Sequence, residues 1–127
     1  MEMITVHVDP MGAPRMTRAD SWKKRPVVLR YREYKDAIRE AFKDYPVHDV
    51  VTVGIVAYFP MPESWSMKKL AAMSGKIHRV KPDVDNVAKG VLDALLEQDS
   101  CVSDLIVCKR WCLGDGRLEI TINGDVK

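Results

Sequence analysis

Cysteine is scarce in this 127-residue chain, with only Cys101, Cys108 and Cys112. An odd number at these spacings builds no disulfide framework and matches no zinc-ligand pattern. Free thiols suit a reducing, cytoplasmic setting, which is the expected location. Long apolar runs are also missing. The longest, residues 50–59, is interrupted by Thr52 and Gly54 and falls far short of the ~20 residues that span a bilayer. No membrane partner is therefore expected. The N-terminus has no basic stretch followed by an apolar one, so no secretory leader is expected either. Internal repeats and low-complexity segments are absent. What remains is 46% hydrophobic and 30% charged, an ordinary soluble composition, in a chain sized for one domain over residues 1–127.

The net charge of +2 conceals a division along the chain. Residues 1–81 hold 15 Lys/Arg against 9 Asp/Glu, a charge of +6, and residues 82–127 hold 5 against 9, a charge of −4. A basic first part joined to an acidic second part suits a protein that grips a polyanion and keeps a cation beside it. Uneven surface charge is the plainer reading of the same split.

Hydrophobic periodicity gives the elements. Residues 2–9 alternate, with Ile4, Val6 and Val8 on one face, as a half-buried strand does. Residues 10–26, with three prolines and five basic residues, read as a loop. A helix is expected over 30–45, where Tyr34, Ile38, Ala41, Phe42 and Tyr45 recur at helical spacing. Residues 47–60 read as a strand ended by Pro60. Ser64 is placed to cap a short helix to about Met73, with Trp65, Leu70 and Ala71 inward. Residues 76–83 form an extended connection, because Lys81 precedes a proline. A second long helix spans about 84–97 on the apolar stripe Val84, Val87, Ala88, Val91, Leu92 and Leu95. Residues 105–113 and 117–123 read as a strand pair turned by Gly114-Asp115-Gly116. The resulting order implies an α/β or α+β fold, a small mixed sheet with helices packed on it.

The chemistry concentrates in Lys81-Pro82-Asp83-Val84-Asp85-Asn86-Val87-Ala88-Lys89, followed 19 residues after Asp85 by Asp104. Two helical carboxylates at i, i+2 would point about 200° apart; an extended Pro82-Asp83-Val84 instead puts Asp83 and Asp85 on one side. Asp85 then stands at a helix N-terminus, where negative charge is favoured. Neighbouring carboxylates repel and call for a cation, for which Mg²⁺ with its oxygen preference is the natural candidate. Asp85, Lys89 and Asp93 fall on one polar stripe. Lys89 can reach a phosphate, and Asp104, just before a strand, can return to the same end of the fold. Each residue also has a plainer role: an N-cap for either aspartate, an i+4 partner of Asp85 for Lys89, a turn residue for Asp104.

Upstream, Lys68, Lys69, Lys76, His78, Arg79 and Lys81 place six basic groups within 14 residues, a possible phosphate track. His78 could serve as a general base or phosphate donor, or be simply exposed. Trp22 and Trp65 could stack on bases, although isolated aromatics more often belong to a core; that holds still more for Trp111 within a strand.

With these residues in view, the sequence resembles the RusA family of Holliday-junction resolvases. The likeness is carried by Lys81-Pro82-Asp83-Val84-Asp85-Asn86, Lys89, Leu92-Asp93-Ala94-Leu95 and Asp104. Residues 61–66 with Lys68-Lys69, Gly75 to His78, and Arg117-Leu118-Glu119-Ile120 are similar to phage-type members. The resemblance implies a homodimeric, Mg²⁺-dependent endonuclease, with Mn²⁺ able to substitute, that resolves four-way DNA junctions. It implies Asp83, Asp85 and Asp104 as catalytic metal ligands and Lys89 as the essential lysine; the basic tract, on its clustered charge, is the expected DNA contact. One departure is visible: where the family usually carries two adjacent aspartates before the following strand, this match gives Ser103-Asp104, followed by Leu105-Ile106. A junction-binding protein without nuclease activity is the alternative. A metal-dependent nucleotide hydrolase would keep the acidic cluster but has no need of the basic tract.

Overall fold

The computed structural model describes residues 2–15, 25–45, 50, 52–96 and 99–123. Its centre is β2 (Thr52–Pro60), in which half-buried and buried residues alternate, with Val53, Ile55, Ala57 and Phe59 facing inward. β-Branched and aromatic side chains fill a pleated surface well, and Pro60 ends the strand because it has no N–H for the ladder.

β4 (Arg117–Asn123) pairs antiparallel with β2, and β3 (Asp104–Cys112) pairs parallel with its other edge. β1 (Glu2–Val6) adds antiparallel to β4, giving a mixed sheet of order β1-β4-β2-β3. The strand pair expected across Gly114-Asp115-Gly116 is therefore corrected: β2 lies between β3 and β4. The turn has to stride over β2, about 10 Å by two strand spacings. Gly114 makes the reversal at φ 75°, and at Gly116 a Cβ would come within 2.9 Å of the Tyr58 carbonyl oxygen. The backbone passes so close to β2 that only glycine fits.

One face of the sheet carries the helices. α1 (Pro26–Ala41) begins four residues before the expected start, with Pro26 at N1. Proline suits that position because its missing N–H would have no helical partner there. α3 (Val84–Leu95) ends where Leu96 turns extended, before residue 97, which lies outside the described residues. Tyr31 and Ile38 of α1, Phe42 at its C-cap, and Val87, Val91 and Leu95 of α3 close the core over Ile55, Leu118 and Ile120. Val84 is 45% exposed, so the apolar stripe begins at Val87.

α2 (Met67–Met73) is capped by Ser66, whose Oγ accepts the Lys69 N–H at 3.2 Å, and not by Ser64. Ser64 lies in a turn in which the Trp65 N–H bonds the Pro62 carbonyl. Ala71, expected inward, is exposed, while Leu70 and Met73 pack on the core. A short 3-10 turn, Asp99–Cys101, joins α3 to β3. The architecture is α+β. Among the described residues no helix is long and apolar enough to cross a membrane, and the cysteines are free thiols.

Candidate active site

The segment between α2 and α3 is tied to the sheet at both ends. Ile77 forms a single antiparallel bridge with Arg110, and the His78 N–H bonds the Lys109 carbonyl at 3.1 Å. Five residues later the chain enters α3 through the cis peptide Lys81-Pro82. Asp83 occupies the N-cap position in extended conformation (φ −65°, ψ 151°), its carbonyl accepting the Val87 N–H. The extended entry expected from the proline is thus present.

An N-cap aspartate ordinarily bonds the exposed helix amides through its carboxylate. Asp83 makes no such side-chain bond, and both Asp83 and Asp85 are exposed. Its carboxylate is therefore available to something other than the helix. Asp85, in the first turn, gains from the positive helix end. Both line an open cleft of about 580 Å³ together with His78, Lys81, Val84 and Lys109. A larger cleft, about 880 Å³, lies between α1 and α3 beside Lys35, Arg39 and Asp93, away from Asp83 and Asp85.

Three residues without a place in the sequence reading frame this segment. The Lys109 ammonium donates to the Val80 carbonyl at 2.7 Å and the Pro82 carbonyl at 2.6 Å. From the other side, the Ala13 N–H bonds the Asn86 carbonyl at 3.1 Å. A Cβ on Gly12 would stand 2.8 Å from Pro82 Cβ, so the N-terminal segment reaches the motif only because residue 12 is glycine. Lys109 lies opposite the inward-facing Ala57, on the same side of β3 as Val107 and Trp111.

Lys89 forms its ion pair with Asp93 at 3.7 Å, and Asp93 also accepts the Tyr31 hydroxyl at 2.9 Å. Burial first, and then that carboxylate, push the Tyr31 phenol well above its ordinary 10.0. Asp93 therefore anchors the lysine from inside the helix, as a supporting group would.

Asp104 does not join the pair. Among the described residues no three His, Cys, Asp or Glu side chains stand close enough to share one ion. Asp104 is the exposed first residue of β3, opposite Thr52. The three-carboxylate set of Asp83, Asp85 and Asp104 is thus not assembled. Two exposed carboxylates do fit the usual binding of Mg²⁺, which takes one or two carboxylates and completes its shell with water and phosphate.

His78 is a second correction: it is 4% exposed, stacked on Phe59 at 4.0 Å and beside Trp111 at 4.3 Å between ring centroids. Burial and then the Lys109 charge hold its imidazole below the ordinary 6.5. Lys68, Lys69, Lys76, Arg79 and Lys81 are exposed, and Lys69 rests over the Trp65 ring at 4.1 Å. Trp65 is half-buried and Trp111 buried; Trp22 lies outside the described residues.

Comparison with known proteins places these features in a family. Uncharacterized protein YqaN of Bacillus subtilis (strain 168) is 41% identical over 80 residues, which are 57% of this chain and 56% of that protein. The chain thus spans little more than half the length of this relative. The model of the RusA endodeoxyribonucleases matches residues 7–123, nearly the whole chain, with the acidic segment inside the match. The chain belongs to the RusA endodeoxyribonuclease family.

Proposed function

We propose that this protein is a structure-selective DNA endonuclease that resolves four-way junctions by paired nicks, acting as a homodimer with Mg²⁺ or Mn²⁺. The observation that carries this reading is Asp83, which takes the N-cap position without capping and leaves its carboxylate beside Asp85 at the mouth of a basic cleft.

Asp83 and Asp85 would hold the cation, with Asp104 proposed as the third carboxylate, as the family resemblance implies. The cation supplies an activated water and offsets charge on the scissile phosphate. Lys89, steadied by Asp93, would meet the charge that builds on the phosphate in the transition state. Lys68, Lys69, Lys76, Arg79 and Lys81 supply exposed positive charge along the chain that leads into the cleft, as backbone-directed binding requires. His78 belongs to the packing beneath. A four-way junction has approximate two-fold symmetry, so a C2 dimer with one site per subunit would deliver two opposed nicks.

The test is cleavage of a labelled synthetic four-way junction and a linear duplex of the same sequence, in Mg²⁺ and in EDTA. Paired nicks confined to the junction and lost in EDTA are expected. Equal cutting of the duplex, or cutting that persists in EDTA, would refute the proposal.

A further inference from the structure

The acidic segment reaches its place through one side chain of the sheet. Lys109 is fixed on β3 by its register opposite Ala57 and by the bond its carbonyl accepts from His78. Its ammonium reaches the carbonyls on both sides of Lys81, those of Val80 and Pro82, at 2.7 and 2.6 Å. Both are charge-assisted bonds, the stronger class of hydrogen bond. They fasten the residues immediately before Asp83, whose exposed carboxylate makes no bond of its own to the helix. Lys109 also lines the cleft that Asp83 and Asp85 line.

We infer that Lys109 is a positioning residue: it clamps the Val80–Pro82 turn to β3 and thereby holds Asp83 and Asp85 in the arrangement that binds a divalent cation. The part concerning the cation rests on the function proposed above. The clamp itself does not.

A geometric role and a merely electrostatic one have opposite signs. A cation beside two carboxylates repels an incoming metal ion, so a lysine acting only through its charge weakens metal binding, and its removal strengthens it. A lysine that sets the geometry does the reverse. Removal of groups that orient metal ligands typically costs 10–100-fold in affinity.

The experiment is calorimetric titration of the full-length protein with Mn²⁺ alone, for wild type, Lys109→Met and Lys109→Arg, with amide hydrogen exchange of residues 79–85 in each. At least tenfold weaker Mn²⁺ binding and faster exchange in Lys109→Met are expected, with partial recovery of both in Lys109→Arg. Unchanged or tighter Mn²⁺ binding in Lys109→Met overturns the positioning role. So does unaltered exchange over 79–85. Should Lys109→Met fail to fold, Lys109→Arg against wild type decides alone: its ammonium is replaced by a planar fork that cannot reproduce both contacts, so wild-type exchange and affinity would overturn the clamp. A wild-type protein that binds no Mn²⁺ would refute the metal reading, while the exchange comparison still judges the clamp.

Discussion

The Tyr31 hydroxyl donates to the Asp93 carboxylate at 2.9 Å across the interface of α1 and α3, and the other oxygen of that carboxylate faces Lys89. This contact couples the packing of the two helices to the placement of the motif's lysine. A hydrogen bond to a charged, partly buried acceptor contributes about 1.5–3 kcal/mol, and the half-exposed ion pair with Lys89 only a few tenths. Tyr31→Phe, Asp93→Asn and the double variant, compared by urea unfolding, should show a coupling of about 1–2 kcal/mol. Additive losses would mean that the contact carries no energy of its own.

Gly12→Ala tests whether the N-terminal segment supports the site. The added methyl would meet the Pro82 ring at 2.8 Å, and a proline side chain cannot swing away. A loss of about 1–3 kcal/mol in urea unfolding is expected, as for overpacking elsewhere. Wild-type stability would show that residues 10–13 do not hold this position in solution.

His78 gives the fold a pH dependence of defined sign. Its folded pKa is lowered from 6.5, so the unfolded chain takes up the proton more readily. The stability it contributes is complete above pH 6.5 and is lost as pH falls through the folded value. Urea midpoints measured at pH 7.5 and 5.5 should differ less in His78→Phe, which keeps a ring between Phe59 and Trp111, than in wild type. An unchanged difference would assign the acid sensitivity to other groups.

The sequence made most of this architecture legible and left out two kinds of relationship. Periodicity located the four strands and the two long helices among the described residues, because each buries one face: β2 through Val53, Ile55, Ala57 and Phe59, α3 through Val87, Val91 and Leu95. The extended entry of Asp83 followed from Pro82, a local effect. Strand adjacency did not follow, since a glycine turn after Cys112 signals reversal but cannot reveal that β2 is interposed. The contacts of Lys109, Gly12 and Tyr31 were equally hidden, at separations of 27, 70 and 62 residues. Asp104 entered the acidic set through its spacing and the family resemblance, neither of which shows whether the three carboxylates meet.

The part of Asp104 is open to direct test. As the third carboxylate, its replacement in Asp104→Asn should lower junction cleavage by at least about tenfold, with stability close to wild type because the residue is exposed. Cleavage within about threefold of wild type would remove Asp104 from the site.

The most direct test of the account is single-turnover cleavage of a four-way junction in Mg²⁺ by wild type and Asp85→Asn, with junction affinity measured alongside in EDTA. Asp85 is exposed, so its replacement should cost less than about 1 kcal/mol of stability. The expected result is cleavage reduced by about 10³-fold or more, equivalent to roughly 4 kcal/mol of transition-state stabilisation, with affinity held within about threefold. Cleavage within tenfold of wild type would contradict the assignment of the Asp83–Asp85 pair as the catalytic centre.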